Sequence, residues 1–290
     1  MEREDRVRVT IKKPEHIIDE LRKNIEENTK HIKTKFAIIS GKGGVGKSFV
    51  SVSLAVGFAL RGYKVGVLDA DIYGPTVAKL LGLAGSVIQV DQTVDRIIPV
   101  IGPAGIKVIS MDFLLPSEET PVIWRGPLVG RAIAEFLAKV FWGSLDVLVV
   151  DLPPGTGDAP LTIAQMLPNI TGSIIVTTPS DVSARIVKKA IIFSQKMNVP
   201  IVGIIENMSY FVCPKCNEKY FIFGREIGRA LAEEMNIPYL GGIPLDPRIS
   251  ECNDLGIPFL LKYPDIEASK AIMNIVDKLR EHFKNILEQE

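Results

Sequence analysis

Residues 40–48 read SGKGGVGKS and fit G-x-x-x-x-G-K-[ST], with Gly41, Gly46, Lys47 and Ser48 at the defining positions. In such a turn the backbone N–H groups of Gly43, Gly44, Val45, Gly46, Lys47, Ser48 and Phe49 point inward and form a nest for anionic oxygens. Lys47 adds a point charge for β- and γ-phosphates, and the Ser48 hydroxyl can ligate Mg²⁺. Three carboxylates belong to the same chemistry. Asp69 and Asp71 close the apolar run KVGVLDAD, and Asp151 closes DVLVVD. If both runs are parallel strands, their C-terminal ends gather on one edge of the sheet. Asp151 is then the expected partner of Mg²⁺ through a water, because Mg²⁺ keeps several waters. Asp71, slightly further out, is placed to orient or polarise an attacking water. For Asp69 a structural role, capping a loop or bonding the phosphate loop, is equally open. DLPPGTGD (151–158) is stiff at Pro153 and Pro154 and flexible at Gly155 and Gly157, so it can take two shapes according to a γ-phosphate. Lys42, a second lysine directly after Gly41, is more than this chemistry requires.

Cys213 and Cys216 form a second centre in YFVCPKCNEKY. Their spacing lets both sulfurs face one metal, and Lys215 and Lys219 nearby favour thiolates. Structural Zn²⁺ and a [4Fe–4S] cluster each take four ligands, and one C-x-x-C supplies two. Cys252, in ISECNDLG, reads as a lone buried cysteine. His16, His31 and His282 lie in charged helical stretches and read as solvated. A symmetric dimer resolves the shortage, since two copies of the pair make one four-sulfur site on a two-fold axis. Local chemistry alone favours zinc, because C-P-x-C turns are common zinc knuckles.

The elements around these centres follow a βαβ rhythm. KFAIIS (35–40) leads into the glycine loop, and FVSVSLAVGFALRG (49–62) reads as the next helix, closed by Gly62. Further strands are expected at 64–71, 146–154, 172–180, 199–209 and 238–246, with a hairpin or adjacent strands in 97–112. Helical lengths between strands predict an α/β fold with a mostly parallel twisted sheet covered by helices on both faces, and the glycine motif between a strand and a helix makes it a P-loop NTPase. Residues 1–34 are expected as a charged helical extension and 35–290 as one ATPase domain carrying the cysteine loop. The stretches 111–127 and 209–224 read as irregular, a length of loop that tends to be functional. Of the 290 residues 47% are apolar and only 7% aromatic, so the core is Ile, Val, Leu and Ala, as in buried parallel sheets. The 34 basic residues balance 34 acidic ones, which gives no support to general binding of nucleic acid or anionic membrane. The N-terminus is charged throughout and lacks a signal-like apolar run, and no stretch of about 18 apolar residues suggests a membrane span. A cytoplasmic protein is expected.

Taken together, KGGVGKS with its extra lysine, DADIYGPT, DLPPGTGD and ENMSYFVCPKC resemble the Mrp/ApbC family of ATP-binding iron–sulfur carriers. That family lies within the MinD/ParA group of deviant-Walker ATPases, and the resemblance runs from about residue 35 to 262. It implies slow ATP hydrolysis with Lys42, Lys47 and Asp71 as the catalytic residues. Lys42 would reach across a homodimer to the other copy's nucleotide, Asp71 would position water, and Asn207 would read the adenine base. It also implies a [4Fe–4S] cluster bridging two copies through Cys213 and Cys216 and transferred to apo iron–sulfur client proteins, with zinc as the alternative at the same cysteines. Some eukaryotic relatives carry a further N-terminal four-cysteine motif; here no cysteine precedes Cys213, so only the bridging cluster is expected. Two other functions stay open, an ATP-dependent spatial organiser like MinD/ParA and a zinc-stapled regulatory ATPase. Trp124, Arg125 and Gly126 match a family stretch without a clear role. The basic-edged helix around 184–193 reads as solvated, and the last helix as packed on the core rather than on a membrane.

Overall fold

The computed structural model describes residues 14–114 and 126–288, with only the backbone of 14–17 and 181–184. Trp124 and Arg125 lie outside the described residues. In chain order the strands are β1 (Ile32–Ser40), β2 (Val65–Asp69), β3 (Gln89–Asp91), β4 (Arg96–Ile98), β5 (Val100–Ile101), β6 (Lys107–Ser110), β7 (Leu145–Asp151), β8 (Gly172–Thr177), β9 (Ile201–Val212), β10 (Lys219–Tyr220) and β11 (Tyr239–Leu245). The helices are α1 (Pro14–Thr29), α2 (Lys47–Leu60), α3 (Val77–Leu80), α4 (Gly126–Lys139), α5 (Asp158–Met166), α6 (Asp181–Lys196), α7 (Ile227–Glu234), α8 (Pro247–Leu255), α9 (Phe259–Lys262), α10 (Glu267–His282) and α11 (Lys284–Leu287).

Nine strands form one sheet, in the order β10-β9-β8-β1-β7-β2-β6-β5, with β11 also paired to β9. Pairings through the middle are parallel, and β5 and β10 join antiparallel at the two edges. β3 and β4 make a separate antiparallel ribbon, so the expected 97–112 hairpin is narrower, β5 with β6 alone. The chain leaves β1 toward β2 on one side and later crosses from β7 to β8 on the other. That reversal opens a crevice at the C-terminal ends of β1, β7 and β8, where ligands of open α/β sheets bind.

Alternation along the strands divides the core. Phe36 and Ile38 face α2 and α10, while Ala37 and Ile39 face α4, α5, α6 and α7. α2 is buried along almost its whole length, and Gly57 lets α10 approach it, since a Cβ there would run into Val276. α10 buries Ile272, Ile275, Val276 and Leu279 against this layer, as its apolar face suggests. β1 begins at Ile32, three residues before the sequence pattern indicates, and α1 packs back on α4. There Asn28 Nδ2 donates to the carbonyls of Leu137 (2.8 Å) and Val140 (2.5 Å), satisfying acceptors at the end of α4 that have no helical partner. Among the described residues no helix is long and apolar enough to cross a membrane.

Candidate nucleotide site and cysteine hairpin

The glycine loop sits between β1 and α2, as its motif requires. Gly44 (φ +77°) and Gly46 (φ +78°) both adopt left-handed backbone, which folds the loop into a concave turn of N–H groups. Gly46 has a second reason to lack a side chain: a Cβ would strike Asn207 Nδ2. Lys42, Gly43, Gly44, Val45, Gly46, Lys47, Ser48 and Phe49 line a cavity of about 330 Å³ together with Asp71, Thr76, Pro154 and Asn253. That size is at the lower end for a small-molecule site. The second proline-glycine loop is tied to the first, because Gly155 N–H donates to the Ser40 carbonyl (2.9 Å).

Register brings the carboxylates together. Asp69 on β2 pairs with Asp151 on β7, and Asp151 in turn lies beside Ile38 on β1. Asp151 is fully buried and accepts from the Ser48 hydroxyl (2.6 Å) and the Ser51 hydroxyl (2.6 Å). The Lys47 ammonium, also buried, stands 2.7 Å from Oδ1, the oxygen that Ser51 reaches, while Ser48 takes Oδ2. A serine hydroxyl against a strand-end carboxylate is a hard oxygen pair of the kind Mg²⁺ selects, so these residues fit that ion. Ser51 was not singled out from the sequence; it lies on the next turn of α2, the same helix face as Ser48.

Asp69 does not face the cavity. It accepts from the N–H groups of Asp71 (3.1 Å), Thr76 (3.1 Å) and Val77 (3.1 Å) and from the Ser110 hydroxyl (3.1 Å), which fixes the 70–77 loop. Burial, then the Asp151 carboxylate, pushes its carboxyl up from the ordinary value, while Lys47 and the Val77 N–H pull it down. The loop presents half-buried Asp71 at the cavity wall. Burial raises the Asp71 carboxyl too, against the pull of Lys47. Lys42 is partly exposed at the rim, and among the described residues no carboxylate pairs with it.

Beside the phosphate loop lies a mostly apolar cavity of about 310 Å³. Its walls are Phe49, Met208, the turn from Pro244 to Pro247, and Asn253. Asn207 is buried at its edge and donates Nδ2 to the Val45 carbonyl (2.9 Å). Asn207 and Met208 are neighbours yet both line the cavity. Met208 has left-handed backbone (φ +56°), and the pairing of β9 with β11 shifts register between Ile243 and Leu245, so the usual alternation of faces is broken. The Pro244–Pro247 turn and Asn253 come from far along the chain and carry no local signature.

β9 continues past this bulge to Val212 and turns back as β10, and the cysteine pair occupies the turn. Cys213 N–H donates to the Glu218 carbonyl (3.0 Å) and Asn217 N–H to the Cys213 carbonyl (2.9 Å), with Asn217 left-handed (φ +57°). The segment expected as irregular from 209 is therefore strand as far as Val212. Cys213 is half-buried and Cys216 exposed. The N–H groups of Cys216 and Lys215, then the Cys216 thiol, hold the Cys213 thiol below its ordinary value. Among the described residues no cluster of three or more His, Cys, Asp or Glu side chains forms a metal site within one chain. Cys252 is fully buried in α8, and burial pushes its thiol up. His31 and His282 are exposed.

A strand, glycine loop and helix at the switch point of a parallel sheet, with lysine and serine against a strand-end aspartate, define a P-loop NTPase. The chain belongs to the ParA family described as NUBPL iron-transfer P-loop NTPase, whose profile matches residues 31–280. It is 53% identical over 255 residues to the iron-sulfur cluster carrier protein of Saccharolobus solfataricus, spanning 88% of this chain and 86% of that one. The carrier protein of Methanocaldococcus jannaschii is 51% identical over 257 residues, 89% of this chain and 87% of that one. Among solved structures, a nucleotide-binding protein from Archaeoglobus fulgidus, in complex with ADP and with Co found by PIXE, superposes with a TM-score of 0.73. It is 41% identical, over 82% of this chain and 92% of that one. The septum site-determining protein MinD of Pyrococcus horikoshii, complexed with Mg-ADP, gives a TM-score of 0.61 at 20% identity over 88% of this chain and 99% of that one, a likeness of fold alone. The resemblance drawn from the four motifs and the P-loop fold expected from them are both borne out.

Proposed function

We propose that this protein is a cytoplasmic, ATP-hydrolysing carrier that holds one [4Fe–4S] cluster between two copies and delivers it to apo-proteins. The observation that carries this reading is strand β9, which bonds the phosphate loop through Asn207 and ends at Val212, next to Cys213. One continuous element thus joins a nucleotide cavity to a two-sulfur turn. The names of the relatives, iron-sulfur cluster carrier proteins at 53% and 51% identity, support the cargo.

In this mechanism the loop amides of residues 43–49 bind the phosphates of ATP, and Phe49, Met208 and the Pro244–Pro247 turn hold the base. Asn207 gives one Nδ2 hydrogen to the Val45 carbonyl, which orients the amide and leaves Oδ1 as an acceptor for the adenine amino group. Lys47 exchanges Asp151 for the β- and γ-phosphates. Ser48 and Asp151 are the residues that would hold Mg²⁺, Asp151 through a water, and the bound ion neutralises phosphate charge. Asp71 orients the attacking water. Lys42 of each copy stabilises charge on the phosphoryl oxygens bound by the other. Cluster delivery is ligand exchange without redox change. Acceptor thiolates form bonds to iron as the four carrier sulfurs leave, and the acceptor's protons pass to the released thiolates.

Transfer to an apo-ferredoxin-like acceptor, followed by the acceptor's visible absorbance under anaerobic conditions, tests the reading. Reconstituted wild-type protein should convert the acceptor, and Cys213→Ser or Cys216→Ser should not. Equal transfer by a cysteine variant would contradict it.

A further inference from the structure

The segment directly after the cysteine turn exposes three large apolar side chains in a row of four residues. Tyr220 is 47% exposed, Ile222 56% and Phe223 51%. The residue between them behaves differently. Phe221 turns inward, 6.5 Å from the Tyr210 ring, and the Arg225 guanidinium covers it at 4.9 Å. The strip also stands on a braced base. Glu267, at the start of α10, accepts from the Tyr210 hydroxyl (3.1 Å) and pairs with Lys219 (3.6 Å), whose ammonium lies 4.3 Å from the Tyr210 ring centre. Tyr220 reaches toward the metal-binding turn, with its hydroxyl 3.1 Å from Glu218 and beside Cys216.

We infer that Tyr220, Ile222 and Phe223 are the surface through which a second copy of this chain seals the shared cluster. The inference rests on the carrier reading above and deepens it. Two sulfurs are half of a four-ligand set, and among the described residues nothing in the same chain completes it. Whatever brings the other two sulfurs must lie against the strip that flanks them. A second copy does so with an identical strip, as a two-fold contact requires. The size of the patch fits a conditional contact. Half of roughly 200 Å² for each of three side chains gives about 300 Å² per chain, as large as the biggest apolar patch on many monomers. Two strips together hide about 600 Å², well short of the roughly 1,200 Å² of a stable specific interface. This face therefore holds two copies together only while the cluster clamps it, and the strip in return keeps water and chelators from the iron.

The test uses full-length Ile222→Ser/Phe223→Ser protein, reconstituted anaerobically with iron and sulfide beside the wild type. Circular dichroism and titration with a fluorescent ATP analogue report on folding and the nucleotide site, which the substitutions should leave unchanged. Mass by light scattering and the rate at which EDTA bleaches the cluster carry the answer. The variant should lose iron roughly tenfold faster and show a smaller dimer fraction, as for truncation of a central contact. Ile222→Leu/Phe223→Leu should restore both, which separates lost apolar cover from misfolding. Wild-type mass and bleaching in the serine variant would overturn the inference alone. Wild-type mass and bleaching with slower transfer would overturn it too, and would assign the strip to the client protein. If iron binding is indifferent to Cys213→Ser, the carrier reading falls, and this inference with it.

Discussion

Lys47→Ala should destabilise the nucleotide-free protein, apart from any effect on ATP. Lys47 and Asp151 form a buried ion pair at 2.7 Å, with the side chains 7% and 0% exposed. Deleting the lysine leaves a carboxylate in the core with only the Ser48 and Ser51 hydroxyls, each at 2.6 Å. Removing one member of a buried pair costs about 3–5 kcal/mol, and the two remaining hydrogen bonds put this case near the lower figure. At about 2.1 cal/mol/K per residue, this chain has a melting entropy of roughly 0.6 kcal/mol/K, so about 3 kcal/mol lowers Tm by about 5 °C. Scanning calorimetry without nucleotide measures it. Lys47→Ala/Asp151→Asn should recover most of the loss, because the buried charge is gone. A single variant melting within about 1 °C of wild type, or a double variant no more stable than the single, would refute the pair as the internal counterion that phosphate must displace.

Three other outcomes follow from the same geometry. Gly46→Ala forces a side chain into left-handed backbone, about 1–2 kcal/mol, and breaks the Asn207–Val45 bond, about 1 kcal/mol, so affinity for a fluorescent ATP analogue should fall roughly 30- to 150-fold; unchanged affinity would contradict the loop geometry. Lys42→Ala should bind ATP but hydrolyse it slowly, and mixing it with Asp71→Ala should restore activity in hybrid dimers through the one site with both residues intact. No recovery would mean that Lys42 acts within its own chain. Cys252→Ser buries a hydroxyl in the core and should lower stability to denaturant by about 1–3 kcal/mol while leaving iron content unchanged.

Local pattern carried the phosphate loop, the strand-end aspartates and the cysteine turn, because each is a short run whose spacing sets its geometry. It carried the parallel sheet as well, since β1, β7, β8 and β9 are near-continuous apolar runs. What escaped it depends on contacts between distant segments. Asn207 was expected to read a base, and nothing local announces that its amide also holds the Val45 carbonyl. The cavity beside it needs the Pro244–Pro247 turn and Asn253, which β11 and α8 bring in from far along the chain. Met208 gave no warning of left-handed backbone, because a bulge is set by the mismatch between β9 and β11 rather than by methionine. Asp69, left open between a share in the site chemistry and a structural role, binds its own 70–77 loop through three backbone N–H groups. Ile25 and Asn28 of the N-terminal helix are buried against α4, a partner that charge patterning does not reveal.

The most direct test of the central claim is metal and sulfide analysis of the protein purified and reconstituted without oxygen. Two copies supplying four thiolates to one [4Fe–4S] cluster predict about four irons and four sulfides per dimer. Both should vanish in Cys213→Ser and in Cys216→Ser. Zinc bound to each chain, retained through treatment with iron and sulfide, would contradict the account and leave a zinc-bearing ATPase.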